Sequence, residues 1–561
     1  MCIVSSSGVC LQSRTGWLVG FYNSGLVAPE KVPQNGYLLV PQERQAAMTP
    51  EEPKSAMQRL LEEPLLRERC FGSMQHQLYL RLKAAILDGR LLPGSRLPGA
   101  RALAESLSVS RNTVTAAYDG LAAEGYVRPD RRGTRVAILS PATAASRQEG
   151  WPLPSGGPAA VPGPFSVTRP RAGSAFRPGD PALSHFPLAA WRRAVDHAMR
   201  DAGPSALGYG PPGGEPTLRM AIAHHLSVSR GVRCRPEQVF VTDGTQQALA
   251  LCVRLLSTPG DTAWVEDPGY RGARAAMHAG GLLIRPIRTD AEGMAVSRDD
   301  YASPAPRLIY ATPSHQYPTG AVLTVARRLE LIEYARSHEA WIIEDDYDSE
   351  FRHAGAPVGA MQGLVDDAPV LYIGTFSKTL FPSLGMGFLV LPARLMATDA
   401  PALLEELLRG SQRHQQLALA GFMETGQFSR HLRRMRRLYR DRQQALREAL
   451  SREMTVPCEV AGGHGGMHLL VRLPGCYPDQ QIVEAAWRYH IAPAALSANT
   501  LHPRPGDNGL ILGYGNTPED RFVPLIQRLS MLAAGLRLSP PATDFPGIHE
   551  SFSSVNTDFT V

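Results

Sequence analysis

Apolar positions between residues 71 and 139 recur at helical spacing in short blocks. Leu78, Leu82, Ala85 and Ile86 fall on one face of a helix that Asp88-Gly89 ends. A turn at Leu92–Gly99 leads into a short helix, Ala100–Leu107. A second turn at Ser108-Val109 leads into another helix, opened by Ser110, whose hydroxyl suits the free amides of a helix start. Two short helices across a tight turn are the pattern of a helix-turn-helix. Glu124–Arg128 and Gly133–Val136 then read as two strands around a basic tip, a wing.

Beyond this block the period changes. From 176 to 538 short apolar runs (Val239–Thr242, Leu308–Ala311, Trp341–Ile343, Val370–Ile373, Gly387–Leu391) alternate with helical stretches such as Thr245–Ser257, Val325–Ser337 and Gln480–His490. That alternation predicts an α/β fold with helices covering a mainly parallel sheet. Residues 140–175 are rich in Pro, Gly, Ala and Ser and read as a semi-extended linker. Residues 1–70 and 539–561 lack sustained periodicity and read as disordered extensions, with a short helix near Met57–Leu66.

No run of the 561 residues approaches the roughly 18 apolar positions of a membrane helix. The seven cysteines are scattered without Cys-x-x-Cys spacing, which argues against a disulfide framework or zinc module and predicts a cytoplasmic protein. The formal net charge is only +6, but it is unevenly distributed. Residues 71–139 hold ten basic and five acidic side chains, and Arg430–Arg442 holds seven arginines against Asp441. The rest of the chain is acidic, so a cationic head and one cationic helix sit on an acidic body, a pattern that points to nucleic acid.

The second short helix begins with Ser110, Arg111, Asn112 and Thr113, small polar and cationic groups able to reach base edges in a major groove. With Ile86–Pro98, Arg101, Val109–Val114 and Glu124–Tyr126, this block resembles the GntR-type winged-helix DNA-binding domain. The resemblance implies that Arg101, Ser110, Arg111, Asn112 and Thr113 touch DNA, joined by the wing near Gly133. For Lys83 and Arg96 a phosphate contact and plain surface charge remain open.

Four motifs carry chemistry in the larger segment. Gly244-Thr245-Gln246 follows an apolar run and opens a helix, a natural phosphate cradle. Trp264–Tyr270 places Tyr270 on a loop, where its ring can stack on a planar ligand or simply pack. Ile342–Tyr347 ends an apolar run in acids and a tyrosine, at the strand end where open α/β sheets bind ligands. Leu371–Lys378 ends another in a lysine among Thr375, Ser377 and Thr379, and a desolvated lysine is the amine that forms Schiff bases.

Together these motifs resemble the fold-type-I pyridoxal-phosphate enzymes of the class I aminotransferase kind. The resemblance implies Lys378 as Schiff-base lysine, Asp345 as partner of the pyridinium nitrogen, Tyr347 as partner of the phenolic oxygen and Tyr270 as stacking ring. It puts Gly244, Thr245, Gln246, Thr375 and Ser377 at the phosphate, and Tyr209, in Leu207–Gly210, in the site of a partner subunit. The order of the two domains resembles the MocR subfamily of GntR regulators, as does Thr312–Gly320. Two departures stand out. Gly385 occupies the place where the subfamily usually carries a phosphate-clamping arginine, and Leu510–Tyr514 lacks the arginine that often grips a substrate carboxylate. A lost charge-assisted pair costs on the order of 1.5–3 kcal/mol, roughly 10- to 150-fold in affinity.

The expected function is a pyridoxal-phosphate-dependent transcription regulator. A homodimer binds promoter double-stranded DNA, and its aminotransferase-like domain senses a small amine, an amino acid or the cofactor itself. The alternative is an active aminotransferase with an accessory DNA-binding module. His464 and His468 lie four apart, but the glycines around them deny the helix that a metal pair at that spacing needs, so no metal is expected. Leu432, Met435 and Tyr439 give Arg430–Arg442 a core face, leaving the arginines as a solvated or intersubunit face or as an auxiliary DNA contact.

Overall fold

The computed structural model describes residues 11–13, 16–18, 65, 73–130, 133–138, 173–353, 358–410, 412–463 and 465–538. They divide into two compact units, Met1–Gly157 and Pro158–Val561. The helix expected near Met57–Leu66, most of the 140–175 linker and the 539–561 tail lie outside the described residues. Leu11–Ser13 pairs antiparallel with Gly16–Leu18, a ribbon that the N-terminal composition does not predict.

In the first unit, α1 (Met74–Leu87), α2 (Ala100–Ser106) and α3 (Arg111–Ala123) precede β1 (Val127–Asp130) and β2 (Gly133–Val136). Ser73 caps α1 by accepting from the His76 amide, and Ser110 caps α3 by accepting from Thr113. Leu78, Leu82 and Ile86 bury against Leu103, Val114, Tyr118 and Leu121, while Val127 and Val136 close the core from the wing. Tyr118 is too large and polar to be sealed in unpaired, and its hydroxyl donates to the Pro98 carbonyl at 2.9 Å.

The second unit is built on an eight-stranded sheet. Its strands in chain order are β3 (Val239–Thr242), β4 (Thr262–Asp267), β5 (Leu283–Asp290), β6 (Gly293–Met294), β7 (Leu308–Ala311), β8 (Trp341–Asp346), β9 (Val370–Thr375) and β10 (Gly387–Val390). Their spatial order is β3-β10-β9-β8-β7-β4-β5-β6. Strands β5, β4, β7, β8 and β9 pair parallel, and β10 runs antiparallel to both β9 and β3. Strands β3, β7, β9 and β10 are buried at every position, the reading of a sheet covered on both faces. Helix α4 (Thr245–Leu256) follows β3 directly, and α5 (Gln427–Glu453) is 27 residues long. A four-stranded antiparallel sheet completes the unit, with β11 (Glu459–Ala461), β12 (His468–Arg472), β13 (Ala494–Ala495) and β14 (Gly509–Gly513) in the order β11-β12-β14-β13.

The element positions follow the apolar pattern, with informative differences at the ends. Strand β8 continues from Ile343 through Glu344 to Asp346, and β9 continues to Thr375. Hydropathy ends these strands early because their last residues are polar yet still paired, Asp345 with Ile373 and Asp346 with Gly374. Glu344 is affordable inside a strand because its carboxylate accepts from the Met361 and Gln362 amides at 3.0 and 3.1 Å. The linker also ends sooner than composition suggests. Ala175 is buried and exchanges backbone hydrogen bonds with His490 and Ala492, so it belongs to the folded unit.

Candidate functional site

The C-terminal ends of β3, β8, β9 and the start of β10 converge on one place. Thr375 pairs with Gly387, which pairs with Thr242, so the loop at Gly244 and the segment at Thr375 are neighbours across β10. Gly387 has to be glycine for this approach: a Cβ there would stand 2.8 Å from the Gly374 carbonyl and 3.0 Å from the Gly244 Cα. Gly244 takes φ +92°, which disfavours a side chain, and opens α4 with no side-chain cap. The amides of Thr245 and Gln246 therefore sit at an uncapped positive helix end.

Lys378 lies on the short helix Phe376–Thr379 that continues β9, half-buried, with Thr375 capping the turn by accepting from the Ser377 amide at 3.2 Å. Burial pushes the Lys378 amine below its usual range, and nearby Asp180 partly offsets this. The chain passes close over the amine at Gly179, where a Cβ would be 3.1 Å from Nζ. Asp345, at the end of β8, is 4% exposed; its Oδ2 accepts from the Tyr310 hydroxyl at 2.8 Å, and its Oδ1 is buried with no hydrogen-bond partner among the described residues. Burial raises this carboxyl to about 7. Tyr270, Tyr317 and Tyr347 form a line of edge-to-face rings with centroids 6.1 Å apart at each step. Gln246 ties the first of them to the phosphate-cradle loop by donating to the Tyr270 hydroxyl at 3.0 Å.

Thus Gly244, Thr245, Gln246, Tyr270, Asp345, Tyr347, Thr375, Ser377 and Lys378 belong to strand ends and loops of one sheet region. Tyr209 stands apart, 88% exposed. The residues fit a phosphorylated pyridine aldehyde: an amine of lowered pKa, an orphaned carboxylate oxygen for a protonated ring nitrogen, an aromatic face and an uncapped helix start. Gly385 has φ +57°, and a Cβ there would touch nothing within 4 Å. Strand β14 presents Leu510, Ile511 and Leu512, all buried.

Sequence reasoning missed three groups. Tyr310 reads as core in an apolar strand, yet its hydroxyl supports Asp345. Glu266 is buried in β4 and accepts from Thr312 Oγ1 at 2.6 Å and Gln316 Nε2 at 3.3 Å, which anchors the 312–320 loop. His315, Asp348 and His468 gather together, with His315 Nδ1 3.0 Å from the Tyr347 hydroxyl. The runs Thr312–Gly320 and Trp264–Tyr270 and the pair His464 and His468 drew notice in the sequence, but not for these contacts, which join distant loops. His464 lies outside the described residues, and His468 sits in a strand, not a helix.

The first unit carries the second site. Arg101, Ser110, Arg111 and Asn112 are exposed on α2 and at the start of α3, and Thr113 is half-buried. Ser110 and Thr113 also bond each other through their side chains at 2.9 Å, so part of their capacity serves the cap. Gly133, φ +133°, starts β2 against the Arg96 guanidinium, which would lie 2.9 Å from a Cβ there. Lys83 is committed inside the domain: it bonds Glu124 at 2.7 Å and the Tyr79 hydroxyl at 2.9 Å and lies over the Tyr126 ring. On α5, Arg442 is buried and donates to the Gly515 carbonyl, while Arg436 pairs with Glu350 at 2.9 Å. Arg433, Arg434 and Arg437 are exposed and hold no ion pair among the described residues.

A winged helix-turn-helix followed by an α/β unit with this lysine, aspartate and helix-start arrangement defines a regulator class rather than a free-standing enzyme class. The family described as bacterial regulatory proteins, gntR family, matches residues 74–136, and aminotransferase class I and II matches 178–494. The probable rhizopine catabolism regulatory protein MocR of Rhizobium meliloti is 41% identical over 447 residues, covering 79% of this chain and 90% of that protein. The HTH-type pyridoxine biosynthesis transcriptional regulator PdxR of Corynebacterium glutamicum is 32% identical over 464 residues, covering 80% and 93%. Among solved structures, the α-aminoadipate aminotransferase LysN of Thermus thermophilus, complexed with N-(5'-phosphopyridoxyl)-L-leucine, is 26% identical with a TM-score of 0.59 and covers 65% of this chain and 93% of its own. The chain belongs to the MocR-type GntR transcription regulators, which join a helix-turn-helix domain to an aminotransferase-like domain. No helix among the described residues is long and apolar enough to cross a membrane.

Proposed function

We propose that the large unit binds pyridoxal 5'-phosphate at Lys378 and that the bound cofactor, or a small amine or amino acid captured through it, controls promoter binding by the winged helix. The observation that carries this reading is Asp345: a carboxylate oxygen buried without a partner is costly unless a cation completes it. A protonated ring nitrogen is such a cation. When bound, the cofactor supplies an electron-withdrawing ring and an aldehyde reactive toward amines. Asp345, braced by Tyr310, would hold the ring nitrogen. Tyr270 would cover one ring face, Tyr347 would donate toward the phenolic oxygen, and Lys378 would present its amine. The amides of Thr245 and Gln246, with Gly244 opening the turn and Thr375 and Ser377 opposite, would hold the phosphate.

The exposure of Tyr209 supports a homodimer in which this ring completes the partner's phosphate site. Arg101, Arg111 and Asn112, with Ser110, Thr113 and the wing at Gly133, would contact DNA. Two winged helices in a dimer would engage two half-sites. An effector changes DNA affinity only if it favours one arrangement of the dimer over another. Substantial aminotransferase turnover is disfavoured by the apolar β14, which offers no cation to a substrate carboxylate.

The test uses the full chain with added pyridoxal phosphate. A visible absorption band that borohydride bleaches is expected, and Lys378→Ala should abolish it. A mobility shift on the promoter beside its own gene, with and without cofactor and amines, should change with ligand. Wild-type protein without the band, or DNA affinity indifferent to every ligand tried, refutes the reading.

A further inference from the structure

Beside Tyr347 lie three buried titratable groups to which the cofactor reading gives no role: His315, Asp348 and His468. His315 Nδ1 is 3.0 Å from the Tyr347 hydroxyl and 3.1 Å from each Asp348 oxygen. Its Nε2 is buried, has no hydrogen-bond partner among the described residues and faces Gly320, where a Cβ would stand 3.2 Å away. A proton on Nε2 would therefore be stranded, whereas one on Nδ1 meets a carboxylate. The network assigns the proton to Nδ1.

The pair is caged. A Cβ on Gly466, φ +79°, would come within 2.1 Å of the His315 ring and 2.7 Å of Asp348. The other ionisable groups around it are His468 at a 5.1 Å ring distance, His353, the arginines Arg230 and Arg352 across a small cavity, and Asp346, Lys378 and Tyr514, which interact with Asp348 through charge. Burial holds His468 down to about 3 and His353 down to about 4, so both are neutral neighbours. Burial raises Asp348, and the His315 ring draws it back. A metal is a poorer account of the cluster: Asp348 spends both oxygens on His315, and His468 Nε2 already donates to the Pro318 carbonyl at 3.1 Å.

We propose that His315, oriented by Asp348, is the positioning residue that makes Tyr347 a hydrogen-bond donor into the cofactor site. Nδ1–H lies between the Asp348 carboxylate and the Tyr347 oxygen. A tyrosine oxygen that accepts from behind has its own proton free for an acceptor in front. The inference rests on the cofactor reading for what Tyr347 donates to, but the tautomer and the chain of contacts do not.

Two measurements on the full-length protein test it. Nitrogen-15 shifts of the cofactor-free chain, with His315→Gln identifying the signal, should show the proton on Nδ1; a proton on Nε2 overturns the proposal whether or not cofactor binds. In the loaded protein, the pH midpoint of the visible band should move by about half a unit or more in His315→Phe, with roughly three- to tenfold weaker cofactor binding. His315→Gln keeps a donor and should restore most of the affinity. The shift from His315→Phe should vanish in a Tyr347→Phe background, because the effect passes through Tyr347. Additive shifts, or an unmoved midpoint in both His315 variants, overturn it. Absence of a band in wild type refutes cofactor binding instead, and the tautomer then decides alone.

Discussion

Arg101, Arg111 and Asn112 stand in solvent on the small unit, while Asp345, Glu266 and Asp348 lie buried in the large one. The exposed cations lose little hydration before contact, so their affinity for a polyanion is adjustable by salt and costs the fold almost nothing. The buried acids are expensive charges held by aimed donors: Tyr310 for Asp345, Thr312 and Gln316 for Glu266, His315 for Asp348. Such groups recognise one geometry and penalise every other. The two sites thus differ in what a mutation should do. At the first it changes affinity and leaves folding alone, and at the second it changes both.

The largest effect that sharpens this contrast is Arg111→Ala. Loss of a base or phosphate contact should weaken promoter binding by roughly 5- to 150-fold without lowering the melting temperature. A fall in stability of more than about 1 kcal/mol would move Arg111 to the structural class. Gly385→Arg approaches the other site from the opposite direction. Restoring the phosphate clamp should tighten cofactor binding by up to about 10- to 150-fold in an equilibrium titration. The φ of +57° makes the same change cost about 1–2 kcal/mol of stability in the cofactor-free protein. Tighter binding with no loss of stability would show that the turn adapts.

Next in size is the pH response of the cofactor-free protein. Burial raises Asp345 and Glu266 to about 7, above the ordinary carboxylate range, so the folded chain binds these protons more tightly than the unfolded one. Their contribution is full below about pH 4 and is lost as pH rises through about 7, a decline on the order of a few kcal/mol. Thermal unfolding should therefore worsen between about pH 5 and pH 8, and Asp345→Asn should flatten part of the slope. A melting temperature independent of pH would contradict the buried-acid description. The smallest effect concerns α5. Replacing Arg433, Arg434 and Arg437 with glutamine should lower the salt slope of DNA binding by about 0.9 for each that meets a phosphate, at most about 2.7. An unchanged slope assigns that face to solvent or to a second subunit.

Much of this was legible in the chain, and the limits have physical causes. The helix-turn-helix is local: its caps, turns and apolar stripes all lie within 65 residues or so, and Ser110 caps its helix as the sequence suggests, while the Ser73 cap of the first helix came only with the structure. Lys378, Asp345 and the Gly244 turn were legible because each ends an apolar run at its own strand. Their support was not. Tyr310 sits among Leu308, Ile309 and Ala311, where hydropathy sees only core, and His315 meets Asp348 from another loop. Arg436 and Arg442 count as surface charge in a one-dimensional pattern, yet both turn back to the protein, one to Glu350 and one to a carbonyl. A long side chain has enough reach that its position on a helical wheel does not say where its charge ends up.

Gly385 bears on information as much as on binding strength. A receptor whose Kd lies far below its ligand's concentration is always filled and reports nothing, whereas one whose Kd lies close to it changes occupancy steeply with supply. A clamp weakened by tenfold moves half-occupancy to a tenfold higher concentration. On the proposed reading, a chain that withholds one guanidinium at a turn with room to spare would exchange permanent possession of a cofactor for the ability to measure it.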